Sequence, residues 1–396
     1  MRLGQALRRR RKPKEERVMD VRAEDCARFL DANLDAGVRA KALETLARVI
    51  AAGKSDYADH IAGELPYTGA QVLEVGCHYC WYAPFFLLRG ATTYAGIDVE
   101  FDPGYDRIHG PRATLQAPLS ITDFIACFPN CAMTLGDIRD LPPPAAPFDA
   151  AFMISTSEHF DDARACLAAL ALQMAPGGEI YISHHNYYGW NGHHRSPWSV
   201  AEIDLDDPKH REVVDWNHVL RRVQNLDTPN FLNYLRMHEL VEIVEDYFTI
   251  TRRDCIAYDE NTGRGRLTSE LRRRLSRYYA EELETLSLLL NARRRPEQVT
   301  ATAVQNTGHR YRIELGWIER GDGHTYVTRL PGLGRLGPLK LLEEERELSP
   351  GASDFATIAG QGGGAWTVHF GNYLHFSTSD NTDPRRNGRR YVVASA

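Results

Sequence analysis

Residues 71–77 read Gln-Val-Leu-Glu-Val-Gly-Cys, and residues 93–98 read Thr-Tyr-Ala-Gly-Ile-Asp. Each is a short apolar run that stops at a Gly or an acidic residue, as a strand buried on both faces does. Three further runs follow: Met133-Thr-Leu135 before Gly136-Asp137, Phe148 to Ile154, and Glu179 to Ile182 after Pro176-Gly177-Gly178. Helical stretches separate them, among them Trp81 to Leu88 as a crossover. Strands alternating with helices predict βαβ units, hence an α/β fold with a doubly wound, mostly parallel sheet. Leu288-Leu-Leu290 is a candidate last strand.

Outward from this core the texture changes twice. Residues 23–64 read as an N-terminal helical extension, with Phe29, Leu30, Leu34, Val38, Leu43, Leu46 and Ile50 at helical intervals. The span 101–132 is long for a connection; a helix near 118–128 fits inside it, and the rest reads as an inserted flap. Residues 199–250 return to mixed helix, and Leu267 to Leu286 read as one further helix. Beyond Pro296 short alternating runs and Gly/Pro turns predict an all-β module of sandwich type. The expected organisation is a basic flexible tail over 1–22, an α/β domain over 23–296 and a β-rich accessory domain over 297–396.

Composition narrows the class. The chain has 396 residues, 43% of them hydrophobic and 25% charged, which excludes a disordered chain, a collagen-like repeat and a coiled coil. No run of eighteen apolar residues occurs, so no transmembrane helix is expected. Seven Cys, an odd number, argue against a disulfide framework and for a reducing compartment, so the expected location is cytoplasmic. Net charge is −6, yet residues 1–17 hold eight Lys/Arg against Glu15 and Glu16. The body is therefore acidic, which argues against a nucleic-acid partner, while the tail suits peripheral contact with anionic lipid.

Gly76 directly after the first strand lets a ligand approach the backbone. Asp98 stands at the end of the second strand, 22 residues on, where a carboxylate can accept both ribose hydroxyls; Glu100 is the reserve. On these residues the sequence resembles the class I S-adenosylmethionine-dependent methyltransferases over about 70–185, and more weakly to about 295. The resemblance implies a seven-stranded Rossmann-like sheet and S-adenosyl-L-methionine as cofactor. Leu73-Glu74-Val75-Gly76-Cys77 looks like the first motif, whose acid helps hold the methionine ammonium and whose loop, here with Cys77 and His78, passes under the methionine. Gly96-Ile97-Asp98 looks like the ribose site, and Gly136-Asp137-Ile138 like the adenine loop. Phe148 to His159, with Ser155 inside it, resembles the fourth-strand motif that faces the sulfur and the substrate. The loop departs from the family in placing His78 and Cys80 where glycines usually stand. That counts more heavily against a dinucleotide dehydrogenase, whose pyrophosphate needs them.

Four His lie between 184 and 194, after the fifth strand. Methylating a hydroxyl requires loss of its proton, for which His is the default base. His159 and His185 are the first candidates and His194 the next; each could equally be a hydrogen-bonded structural residue. A metal held by His with Asp161 and Asp162 is the sharper alternative, and no metal ligands are assigned. Cys77-x-x-Cys80 and Cys127-x-x-x-Cys131 each resemble half a zinc site, but the first lies in the cofactor loop. Aromatic residues around 187–198 suit either sugar stacking or packing. Phe376 to Tyr391 is similar to segments of bacterial surface-polysaccharide enzymes; it suits a glycan or Ca²⁺, or a self-capped turn. The expected activity is O-methylation of a saccharide or similar polar metabolite, with a glycan or small hydroxylated partner and a homo-oligomeric state. The alternative is a non-catalytic scaffold of this fold in a polysaccharide-assembly complex.

Overall fold

The protein is described from a computed structural model, over residues 21–295 except 111 and 222–231, and over 310–395 except 314–317, 330–337, 350, 352 and 370–372. The basic run of the tail and the proposed boundary at Pro296 lie outside the described residues.

Seven strands form the main sheet: β1 (Gln71–Val75), β2 (Thr93–Asp98), then, after a hairpin of β3 (Arg107–His109) and β4 (Thr114–Gln116), β5 (Cys131–Leu135), β6 (Phe148–Ile154), β7 (Met174–His185), β8 (Phe248–Ala257) and β9 (Thr285–Arg294). Their order is β5-β2-β1-β6-β7-β9-β8. All neighbours are parallel except β9, which runs antiparallel to β7 and β8. This is the doubly wound, mostly parallel sheet the strand runs predict.

Side-chain alternation divides the sheet into two cores. Val72, Ala150, Phe152 and Tyr181 face one side, with the helices α1 (Ala36–Ala51), α2 (Ser55–Ala62), α3 (Ala83–Leu88) and α4 (Ile121–Ala126). Leu73, Val75, Ala151, Met153, Ile180 and Ile182 face the other, with α5 (Ala163–Gln173) and α6 (Met237–Tyr247). Phe86 sits between Tyr94 and Phe152, its ring centroid 5.2 Å from each. Burying an aromatic or aliphatic side chain of this size contributes about 1.5–3 kcal/mol, so each layer is held by its apolar face. Asp35 starts α1 by accepting from Gly37 N at 2.7 Å, and Asp162 starts α5 by accepting from Ala165 N at 2.9 Å. The long 101–132 connection does hold an insertion: β3, β4 and α4, with Arg112 paired to Asp56 of α2 at 3.0 Å.

Two readings need correction. Leu267 to Leu286 is not one helix: Ser269–Arg274 and Ala280–Leu283 are short helical turns, and β9 begins at Thr285. Residues 285–290 are buried without a break, which suits a strand closing between β7 and β8 rather than a one-sided surface helix. The mixed-helix reading also ran into β8, an edge strand carrying Arg252, Arg253 and Asp254. Charge protects an exposed edge and hides the apolar alternation.

The C-terminal part is a separate all-β module of two four-stranded antiparallel sheets. Strands β10 (Arg310–Ile313), β13 (Leu339–Glu343), β14 (Arg346–Glu347) and β17 (Tyr391–Ser395) make one; β11 (Glu319–Arg320), β12 (Tyr326–Arg329), β15 (Trp366–His369) and β16 (Tyr373–Phe376) make the other. Leu341, Tyr391 and Val393 of the first share a core with Tyr326, Leu374 and Phe376 of the second. A six-residue helix, Phe355–Gly360, was not anticipated there.

The Gly-poor loop after β1 is seated by a glycine on the neighbouring strand. A Cβ on Gly96 of β2 would lie 2.6 Å from Cys80 Sγ and 2.8 Å from Cys77 Sγ. Gly96→Ala is expected to destabilise the chain by about 1–3 kcal/mol through overpacking. Urea unfolding monitored by tryptophan fluorescence reads this; an unchanged midpoint would mean that the loop does not depend on this contact.

Candidate active site

Strand order reverses between β1 and β6, and the carboxyl ends of the strands beside such a reversal are where α/β sheets bind ligands. Gly76 opens the first loop at φ 73°, and a Cβ there would overlap the Thr156 side chain from the loop after β6. The two loops therefore touch across the reversal. His78 and Cys80 have φ 47° and 39°, so the backbone takes the left-handed conformations that glycine usually supplies. The cost is local strain, offset by hydrogen bonds and packing. Asp98 Oδ2 accepts from His78 N at 2.7 Å, and its Oδ1 accepts from Glu100 N at 3.1 Å. Cys77 and Cys80 are buried free thiols that turn inward onto Gly96. Their hydrogen bond and burial push Cys77 well above the usual thiol range; burial pushes Cys80 up.

The remaining predicted cofactor residues divide into two groups. Glu74 is buried on the face covered by α1 to α4, where the hydroxyls of Tyr82 and Tyr94 donate to its carboxylate. Burial pushes its pKa up to about 8, against the two tyrosine hydrogen bonds, which lower it. Asp137 caps the turn at Ile138 by accepting from Arg139 N at 2.9 Å, and Arg139 Nη2 reaches Asp137 Oδ2 at 2.6 Å and Asp161 Oδ1 at 2.9 Å. That arginine ties the loop after β5 to the loop after β6. Ile138 is buried, and Ser155 sits at φ 48° with its N–H on Ser183 O at 2.7 Å. Val99 and Leu135 are the exposed apolar residues beside Asp98, 65% and 54% exposed; Leu135 pairs with Asp98 in register.

The three candidate bases meet. His194 lies between His159 and His185, with ring centroids 5.3 and 4.3 Å away. His159 follows β6, His185 ends β7, and His194 comes from the loop beyond β7. Burial lowers the pKa of His185 to about 4 and that of His194 well below the usual value, so both imidazoles are neutral at pH 7. Sequence reasoning missed Glu158, although the run Ser157-Glu158-His159 directly after a strand end was the available signal. Its carboxylate is buried beside the histidines, with Oε2 3.8 Å from His184 Nδ1, and no side chain among the described residues hydrogen-bonds it. Burial pushes it up to about 8. Asn233, also unanticipated, fixes the turn: its Nδ2 donates to Ser157 O at 2.7 Å and Phe160 O at 3.0 Å, and its N–H to Glu158 O at 2.8 Å. Ser157 Oγ lies 2.9 Å from His184 Nδ1.

Other candidates are spoken for. Asp161 pairs with Arg139, and Asp162 caps α5. Tyr187, Tyr188 and Trp190 are buried in a satellite core with Trp216 and Tyr258; Trp198 is exposed. In the C-terminal module Asp380 pairs with Arg389 at 2.5 Å, Asp383 with Arg385 at 2.7 Å, and Asn381 Oδ1 accepts from Gly363 N at 2.6 Å. These are the contacts of a self-capped turn. Among the described residues no helix is long and apolar enough to cross a membrane.

Residues 73–182 match the family model described as a methyltransferase domain. No curated protein matches the chain. Among solved structures, an S-adenosylmethionine-dependent methyltransferase from Mesorhizobium loti is 14% identical, with 61% of this chain and 98% of that chain covered and a TM-score of 0.36. The N-methyltransferase NodS from Bradyrhizobium japonicum, in complex with S-adenosyl-L-homocysteine, is 14% identical, with 61% and 85% covered and a TM-score of 0.31. The [4+2]-cyclase SpnF is likewise 14% identical, with 61% and 80% covered and a TM-score of 0.35.

Glu74 offers a test of the buried side of the site. Its raised pKa means that the folded state holds the proton more tightly than the unfolded state, whose ordinary value is 4.5. That stabilisation is complete below about pH 4.5 and is lost as pH rises through about 8. Glu74→Gln cannot ionise, so its stability is expected to fall less between about pH 5 and about pH 9, by more than about 1 kcal/mol relative to wild type. Urea midpoints across that range measure it, and parallel profiles for the two proteins would contradict the assignment.

Proposed function

We propose that the chain is an S-adenosyl-L-methionine-dependent O-methyltransferase acting on a hydroxyl of a saccharide or a similar polar metabolite. The observation that carries this reading is the meeting of His159, His185 and His194 on the sheet edge that also bears Gly76 and Asp98. The match of residues 73–182 to a methyltransferase domain supports methyl transfer as the chemistry.

The residues at the crevice fit this cofactor. Asp98 uses one acceptor position on each oxygen for a backbone N–H, which leaves lone pairs for a ribose diol. Val99 and Leu135 offer exposed apolar surface for a purine, with Asp137 and Ile138 at the same strand ends. Gly76, Cys77 and His78 follow the end of β1, and Ser155 follows the end of β6 beside it. Glu74 lies behind this loop and braces it through Tyr82 and Tyr94. When bound, the cofactor supplies an electrophilic methyl group on its sulfonium. The chain's own part is to align an acceptor hydroxyl in line with that group and to take its proton on one of the three histidines. The β module would bind the rest of a glycan or join chains into an oligomer, and the exposed Trp198 could stack on a sugar face.

Calorimetric titration with S-adenosyl-L-methionine tests the reading. The wild type is expected to bind saturably, and Asp98→Ala to bind at least about 10-fold more weakly, as loss of charge-assisted hydrogen bonds implies. No binding by the wild type would sink the enzyme reading and leave a non-catalytic scaffold. Tritium transfer from labelled cofactor into a panel of sugars tests the acceptor class; label found in protein, with none in sugar, would overturn it.

A further inference from the structure

Glu158, His159 and His194 each bring one possible ligand atom to within 4.8 Å of the other two. We propose that these three residues form a binding site for a divalent transition-metal ion, with open positions facing the acceptor side of the crevice. Two imidazoles and one carboxylate suit Zn²⁺, Mn²⁺ or Fe²⁺ better than Ca²⁺ or Mg²⁺, which prefer all-oxygen sets.

Three observations converge. The Glu158 carboxylate and His194 Nε2 are buried, and no side chain among the described residues hydrogen-bonds them. Polar atoms left in that state cost free energy, and a single cation would satisfy the set together. The ligands come from two loops, the turn after β6 and the segment after β7, so an ion would join them at the strand ends. The turn is also braced as metal sites require: Asn233 holds Ser157, Glu158 and Phe160 through their carbonyls, and Ser157 in turn meets His184. His185 packs against His194 but stands outside the three-residue set. The carboxylate is Glu158, not Asp161 or Asp162, which are engaged with Arg139 and with the start of α5.

The ion would hold an acceptor hydroxyl and make it more acidic, leaving His185, outside the ligand set, as the histidine to take the proton; that role rests on the methyl-transfer reading, and the binding of the ion does not. The test uses the full chain without an affinity tag, stripped with a chelator and titrated with Co²⁺. Visible d–d absorption and binding heat are followed. One equivalent is expected to bind with the absorption of a four- or five-coordinate ion. Glu158→Gln and His194→Ala are each expected to weaken binding at least about 10-fold, since even outer partners of metal ligands have effects of that size. His109→Ala, an exposed site elsewhere, is expected to leave binding unchanged. Co²⁺ should raise the melting temperature of wild type but not of the two ligand variants, whose folding circular dichroism checks. No saturable binding by the wild type, or equal binding by both ligand variants, would overturn the proposal. Cofactor titration of the metal-free chain separates the two readings. Cofactor binding without Co²⁺ binding removes the metal site alone; Co²⁺ binding without cofactor binding keeps the metal site while methyl transfer falls.

Discussion

The structure depends on one constraint: a parallel sheet buried on both faces must route its connections to opposite sides, and the switch happens between β1 and β6. From that point the chain winds outward through β2 and β5 in one direction and through β7, β9 and β8 in the other. Gly76 against Thr156 is the contact at which the two halves meet.

The two sides of the crevice have different character. On the β2–β5 side Asp98 faces partly exposed surface flanked by Val99 and Leu135. On the β6–β7 side Glu158, His185 and His194 are enclosed, and burial rather than neighbouring charge sets their protonation. Arg139, held by Asp137 and Asp161, spans the two sides and limits how far they can move apart.

Much of this was legible because fully buried strands write themselves in unbroken apolar runs. Phe148–Ile154 was readable to the residue, and the positions of Gly76, Asp98 and the histidines followed from strand ends alone. What was not legible depends on partners distant in sequence. β8 looked polar because it is an edge, and only Leu288 to Leu290 of β9 read as strand, its first residues having been joined to the preceding helical run. Glu158 carried no periodic signal; its isolation appears only once β7 brings His184 and His185 alongside. Nor does a sequence say that Glu74 turns toward two tyrosines, since either face of β1 would have buried it. The main sheet ends at Arg294, and the strands of the second core begin with β10.

The seating of Cys77 and Cys80 on Gly96 has a consequence for how the loop can be watched. A thiol reacts as the thiolate, and these two are both shielded and hard to ionise. Alkylation must therefore wait for the loop to lift from β2. Under fast-reclosing conditions its rate reports the population of lifted loops, a local opening far smaller than global unfolding. The pair is in effect a built-in clock for the breathing of the crevice floor, and it runs without any added label.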